Sequence, residues 1–195
     1  MNVILSHSAF IQISLTGLDS IRAFGWAAAI CQRALPCVIR LSEDQLDSST
    51  AACPALWDKV WKSLKGLDEF PDDAPALLER MIPDEAFAAE QNDHFQAIVM
   101  LHALAAAIHK HDTSEVAHVS DAALALLDNA LHRDLSLTPG KESDLLIGRH
   151  PWVTQEIDRQ VRDLSIAQQA PEAREAVLQM WRQTVNETLL PCTTQ

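Results

Sequence analysis

The chain has 195 residues, of which 48% are hydrophobic and 22% charged, a composition typical of one folded domain and not of a disordered chain. Its formal net charge is −12, which repels both the phosphate backbone of nucleic acids and the anionic surface of membranes. We therefore expect neither nucleic acid nor a membrane as a partner.

The N-terminal segment and the cysteines favour a cytoplasmic protein. The first 20 residues lack the basic start of a secretory signal, and the longest strongly apolar stretch, residues 97–108, is too short to span a bilayer. The four cysteines form no CxxC pair and no disulfide-dense scaffold, so reduced thiols are expected. Cys31 lies on the inner stripe of a predicted helix, whereas Cys37 and Cys53 are expected to be more exposed.

Apolar residues recur with helical spacing along almost the whole chain, and strand-like alternation is hard to find. The first predicted helix covers residues 18–35 and ends or kinks at Pro36. A second helix is predicted for residues 54–65. Residues 68–93 carry nine acidic residues and one basic residue, and they predict a loop that contains a short helix at 76–82.

The second half of the sequence predicts the centre of the fold. Residues 92–110 are expected to be the most buried helix, because every side chain between 97 and 108 is apolar except His102. Three further helices are predicted after it: residues 114–131, 151–170 and 171–189. The pattern as a whole predicts a single all-α domain over residues 1–195, a bundle of about six or seven helices with the helix at 92–110 in the middle.

Several ordered segments together resemble the YjaG family, a group of proteobacterial proteins of unknown function. The segments are AAAICQRALP (27–36), LWDKVW (56–61), LERMIPDEAF (78–87), VAHVSDAALALLD (116–128) and HPWVTQE (150–156). The resemblance covers roughly residues 15–169. It implies a compact all-α fold and no particular reaction, since it brings no catalytic residues with it.

His102 is the candidate ligand-binding residue. It interrupts an otherwise apolar helix, and a buried imidazole without a partner would cost about 1–3 kcal/mol in desolvation. It therefore either lines a pocket between helices, as a ligand contact or an acid–base group, or is a core histidine bonded to a backbone carbonyl or a carboxylate. The sequence leaves both interpretations open.

Two features are candidates for a protein interface. Trp26 departs from the main apolar stripe of its helix, which makes it a candidate for a second contact surface. The acidic stretch offers Asp72, Asp73, Asp84 and Glu85 to a basic partner, or it is a solvated acidic surface. It lacks the alternating Asp/Asn pattern and the central Gly of a calcium loop.

The sequence contains no recognisable catalytic or cofactor-binding motif, so no cofactor is expected. The Gly140-Lys141 pair lacks the rest of a phosphate-binding loop, and neither a dinucleotide fingerprint nor a nucleophile elbow is present. The charged residues of the last two helices, among them Glu156, Arg159 and Asp163, are mixed in sign, as on a solvated helix face.

Two histidine-containing segments carry a weak metal signal. His109, His111 and Asp112 end a predicted helix, where the helix dipole favours cations, or they form a surface metal site. Glu115 and His118 match only half of a di-iron bundle signature. We assign no metal on this basis.

These observations leave two functions in view. The first is a non-enzymatic protein-interaction or regulatory module that binds another protein or a second copy of itself. The alternative is a small-molecule-binding protein or an enzyme with an interhelical pocket around His102. We favour the first, because no catalytic constellation accompanies the well-specified helical core.

Overall fold

The computed structural model describes residues 3–45, 52–82 and 92–190, with side chains described at 3–39, 52–82 and 96–190. Within these ranges the regular structure is helical throughout, which confirms the all-α prediction. The described helices are α1 (Val3–Leu15), α2 (Ser20–Gln45), α3 (Cys53–Leu64), α4 (Ala74–Met81), α5 (Asn92–Lys110), α6 (Val116–Asp134), α7 (Lys141–Gly148), α8 (Pro151–Gln169) and α9 (Ala173–Thr184).

The nine helices of the described ranges exceed the predicted six or seven. Helices α1 and α7 account for the difference, because the sequence analysis assigned neither. α1 is apolar on most sides, so it shows no clear amphipathic stripe. α7 is only eight residues long and lies in the segment that was expected to be a connection.

Helix α2 forms the centre of the fold. It packs against α3, α5, α6, α8 and α9, and residues 26–31 have no exposed surface. Small side chains allow this crowding: a Cβ atom on Gly25 would lie 2.7 Å from Val177 Cγ2 and 2.9 Å from Met180 Cε of α9. The backbones of α2 and α9 therefore approach at a position where only glycine fits without a shift of the neighbours.

Pro36 lies inside α2, which continues to Gln45. Proline has no N–H, so the carbonyl of Gln32 receives no hydrogen bond from position 36. The Gln32 side chain ties this part of the helix to α3, since its Oε1 accepts a hydrogen bond of 2.8 Å from the Trp61 indole N–H. The expected end or kink at Pro36 is thus not an end, and the core extends to Val38 beyond it.

Helix α5 was expected in the middle of the bundle, and the structure corrects this. It packs against α2, α4 and α6, with one buried side that includes Leu101, Leu104 and Ile108. Its other side, which carries Val99 and His102, is only half-buried. The apolar run of α5 therefore reflects a helix in an outer layer of the core and not its axis.

Three helices end at a residue with left-handed backbone: Gly66 (φ 71°) after α3, His111 (φ 54°) after α5 and Ser136 (φ 50°) after α6. After α5, the N–H groups of His111 and Asp112 return to the last carbonyls of the helix, which is the pattern of a Schellman motif. Glycine adopts this conformation freely, whereas histidine and serine are strained in it.

Candidate functional site

His102 lies half-buried on the outer side of α5. A surface cleft in the described part of the chain has other lining residues, so His102 is not part of that cleft. The ligand-binding role of His102 stays a prediction.

Trp26, the predicted interface tryptophan, is a core residue. It has no exposed surface, and its indole N–H donates a hydrogen bond of 3.0 Å to the backbone carbonyl of Gln160 in α8. The residue departs from the main apolar stripe because α2 is buried on almost all sides there and Trp26 faces α8. This placement corrects the expectation that Trp26 faces a partner, because no part of its side chain reaches the surface of this fold.

The predicted acidic interface is only partly within the described residues. Asp72 and Asp73 are both exposed, in the turn that precedes α4. Asp72 Oδ1 lies 3.9 Å from His109 Nδ1 at the end of α5. Asp84 and Glu85 lie outside the described residues.

The described cysteines are buried thiols. Cys31, Cys37 and Cys53 form no disulfide and are all buried, so the more exposed position considered for Cys37 and Cys53 is not found. Burial raises the pKa of the Cys53 thiol to about 12 and also raises the pKa of Cys31, so both are inert thiols at neutral pH. No group of three potential metal ligands occurs among the described residues.

A buried ion-pair network between α2 and α8 is the most unusual polar feature of the fold. Arg33 of α2 has no exposed surface. Its Nε and Nη2 donate hydrogen bonds of 2.8 Å to the two carboxylate oxygens of Glu156, and its Nη1 donates one of 2.7 Å to Asp163 Oδ2. Glu156 and Asp163 are likewise fully buried, which corrects their assignment to a solvated helix face.

Neutral side chains extend this network towards α1 and α6. Gln160 Nε2 donates to Glu156 Oε1 at 3.0 Å, which orients the amide so that its oxygen faces α1 and α6. This oxygen accepts hydrogen bonds from Ser120 Oγ at 2.6 Å and from His7 Nε2 at 2.8 Å. Four helices are therefore joined through one buried glutamine.

The C-terminal segment closes the other end of the network. Arg162 Nη1 donates to Glu187 Oε1 at 2.7 Å, and Arg162 Nη2 donates to Asp163 Oδ1 at 2.7 Å. Arg159 Nη1 donates to the Thr188 carbonyl at 2.9 Å. Burial alone would raise the pKa of Glu187, but its bonds to Arg162 and the nearby arginine charges outweigh burial and lower the pKa.

The network is electrically balanced and internally satisfied. Three arginines (33, 159 and 162) face three carboxylates (Glu156, Asp163 and Glu187). No buried nitrogen or oxygen in it lacks a hydrogen-bond partner within the described chain. Burial would lower the pKa of Arg33, but Glu156 and Asp163 outweigh this and raise it, so the guanidinium stays charged. Such an arrangement offers no free group for chemistry and is well suited to fixing the fold.

The sequence contains a signal for this network. Glu156, Gln160 and Asp163 are spaced by four and three residues, so they share one face of α8 with Val153 and Ala167, and this is the buried face. Apolar spacing alone would instead place Ile157 and Val161 inward. Ile157 is half-buried and Val161 is 40% exposed.

An exposed apolar surface, which we call the α1 face, lies on the solvent side of α1. Leu5, Ala9 and Ile13 follow one another at four-residue steps and form its central stripe. Leu5 is 69% and Ile13 73% exposed, and Phe10 flanks the stripe at 46%. α1 contains no charged residue at all.

Helix α7 adds further exposed apolar side chains next to α1. Val3, which is 43% exposed, contacts Gly148 at the end of α7, where an added Cβ would lie 3.6 Å from Val3 Cβ. Leu145 and Leu146 of α7 are 52% and 59% exposed. Large apolar residues exposed on two helices that meet at Val3 and Gly148 are unusual on the surface of a monomeric protein.

The surface cleft is lined by no residue of α1 or α7. It lies where the ends of four other helices meet, and it has a volume of about 220 Å³. It is bounded by the first turns of α2 and α9, the ends of α3 and α5, and the connection before α4. Its lining residues are Ser20, Ile21, Phe24, Ser63, Leu64, Phe70, Asp72, Ile108, His109, His111 and Arg174. It combines a partly apolar floor with several polar side chains at its rim.

Comparisons with known proteins identify a family without a known activity. A family model described as a protein of unknown function (DUF416) matches residues 11–189. The fold is similar to the crystal structure of a DUF416 family protein from Shewanella baltica OS155, with a TM-score of 0.77 and 21% sequence identity over 89% of this chain and 92% of that one. No curated protein matches.

These comparisons confirm the expected uncharacterised bacterial family, but they do not support the name YjaG-like. At 21% identity the structural likeness shows the fold alone. In the described part of the chain, none of the helices has the length and apolar character needed to cross a membrane.

Proposed function

We propose that this chain, which belongs to the DUF416 family of proteins of unknown function, is a non-enzymatic protein-interaction module that associates with a second copy of itself through the α1 face. The observation that carries the proposal is the exposure of Leu5, Phe10 and Ile13 on a helix without charged residues. Burying such side chains against a partner releases water from apolar surface, which is the main driving force of association.

The charge distribution favours a second copy as the occupant of this surface. Two copies each carry a net charge of −12, so they repel one another wherever acidic surfaces meet. α1 carries no charge, and a contact made through it brings no carboxylate of that helix against another. An interface on the α1 face thus keeps this repulsion low.

The size and shape of the α1 face also suit a symmetric contact. The exposed apolar side chains of α1 and α7 offer on the order of several hundred Å², a large part of the about 800 Å² that each subunit buries in a standard-size interface. In a twofold dimer the two α1 helices cross each other. Ala9, in the middle of the stripe, is small enough to allow the close axial approach of packed helices.

The remaining expectations fit this proposal. One domain in the cytoplasm agrees with the buried thiols of Cys31, Cys37 and Cys53, which form no disulfide. A dimer also offers a simple basis for regulation, since its population depends on the protein concentration. The alternative, a small-molecule function centred on His102, draws no support from the cleft described above, which His102 does not line.

Sedimentation equilibrium over a wide range of concentrations tests the proposal. We expect a reversible dimer for the wild type and a monomer for Ile13→Glu, since the substitution would bury a carboxylate in an apolar contact. Leu67→Glu is the matched control: Leu67 is also 73% exposed but lies after α3, away from the α1 face, so its dimer should persist. A wild type that is monomeric at every concentration, or equal weakening by both substitutions, contradicts the proposal.

A further inference from the structure

We infer that the surface cleft between α2, α3, α5 and α9 binds a small organic carboxylate with an apolar body, held by Arg174. The cleft is separate from the α1 face, so this ligand site does not depend on the proposed dimer. Three features support this site: the shape of the cleft, the position of its arginine, and the lack of an ion pair between that arginine and any described side chain.

The floor of the cleft provides a binding surface for an apolar group. Phe24, Leu64 and Ile108 are largely buried and present only their edges to the cleft, while Ile21 and Phe70 are more open. A volume of about 220 Å³ holds a compact small molecule and is too small for a peptide segment. A ring or a short branched chain fits this floor.

Arg174, at the start of α9, supplies the positive charge. Its guanidinium lies against the backbone of Gly66, where an added Cβ would be 2.7 Å from Nη2, so the missing side chain of Gly66 makes room for it. Arg174 forms no ion pair with any residue whose side chain is described, in contrast to the paired Arg33 and Arg162. A planar guanidinium without a protein partner is the side chain best suited to bind a carboxylate through two hydrogen bonds.

Helix ends of both signs meet at the cleft. The first turns of α2 and α9 reach it with the positive ends of their dipoles, but Asp19 already accepts the Arg22 N–H at the start of α2 and Glu175 lies in the first turn of α9. The ends of α3 and α5 reach it with their negative ends, whose last carbonyls accept hydrogen bonds from the turns that follow. The helix ends therefore largely offset one another, and the charge of Arg174 sets the preference for an anion.

Histidines complete the polar rim. His109 Nδ1 lies 3.9 Å from Asp72 Oδ1, which leaves its Nε2 as a second hydrogen-bonding atom. His111 lines the cleft from the turn that ends α5. Either imidazole can donate a hydrogen bond to a bound carboxylate.

Titration followed by NMR, on the full chain, tests the inference with phenylacetate as the probe. We expect the ring signals of His109 and His111 to shift on binding. Phenylacetamide lacks the charge and acetate lacks the apolar body, so each should bind at least about tenfold more weakly than phenylacetate. These two comparisons use the unaltered protein and so do not depend on the folding of any variant.

Two substitutions on α9 then assign the charge. Arg174→Gln should weaken phenylacetate binding about tenfold, whereas Arg182→Gln, an exposed arginine of the same helix outside the cleft, should leave it unchanged. Unshifted signals of both histidines, equal binding of phenylacetamide, or equal binding by Arg174→Gln would each overturn the inference. The dimer test remains informative in every case, because it probes a different surface.

Discussion

The buried network around Arg33 and the α1 face each reverse the usual distribution of residues, but in opposite directions. Arg33, Glu156 and Asp163 place full charges in the interior, while Leu5 and Ile13 place large apolar side chains in water. The first arrangement is complete, since each of its buried side-chain nitrogens and oxygens has a partner among the described residues. The second is incomplete, since its apolar surface is covered by nothing within the described chain.

The comparison separates what holds the fold from what connects it to other molecules. A buried ion pair gains little net stability over apolar residues of the same shape, but the loss of one partner is costly because a bare charge remains inside. Its effect is to admit only the arrangement of α2 against α8 in which all the charges pair. The α1 face contributes nothing comparable to the isolated fold, and its burial requires another molecule.

The largest expected effect comes from breaking the interior arrangement. Arg33→Met should lower the free energy of unfolding by about 3–5 kcal/mol, because Glu156 is left buried without its cation. Urea denaturation followed by circular dichroism measures this change. Lys62→Met is the control, since Lys62 pairs with Asp58 on the surface, where solvent screens the pair, and its loss should leave the free energy of unfolding nearly unchanged. If both variants lost a similar free energy of unfolding, the buried network would stabilise the fold no more than an ion pair on the surface does.

A smaller effect is expected at the partly open end of the network. Glu187→Gln should lower the free energy of unfolding by about 1.5–3 kcal/mol at neutral pH, through weaker bonds to Arg162. The folded-state pKa of Glu187 is lowered from 4.5, so its contribution is complete above 4.5 and is lost as the pH falls through the folded value.

Thermal unfolding as a function of pH checks this sign. The difference in stability between wild type and Glu187→Gln should shrink as the solution is acidified below pH 4.5. The wild-type carboxylate becomes protonated as the pH falls and then, like the glutamine amide, carries no charge. Glu79→Gln, at an exposed position of α4, is the matched control and should follow the wild type at every pH. A constant difference down to the lowest pH would contradict the role of the Glu187 charge.

The helical class and most helix positions follow from the spacing of apolar residues, while the orientation of several helices does not. In α9 the apolar spacing predicts Leu178 and Val185 inward, yet the buried residues include Val177, Met180 and Thr184, and Val185 is 42% exposed. In α8 the error has the same physical cause. Polar residues can be buried when they are paired, and apolar residues can be exposed. Hydropathy alone therefore assigns the wrong face of these helices to the core.

The candidate sites were harder to predict for a different reason. Arg33 and Glu156 are 123 residues apart in sequence, and nothing local in either segment shows that they meet. The cleft likewise draws Arg174 and His109 from separate helices. The sequence identified Asp72 and the His109 segment as polar features, but only the packing of four helix ends places them beside Arg174.

Cross-linking at Ala9 tests most directly whether a second copy covers the α1 face. In a Cys192→Ser background, Ala9→Cys should give a disulfide-linked dimer under mild oxidation, since the thiols of two crossing α1 helices would face each other. Ala52→Cys, at an exposed position before α3, should give no disulfide-linked dimer under the same conditions, because its thiols lie away from the α1 face. Equal cross-linking at both positions, or none at Ala9, would contradict the account.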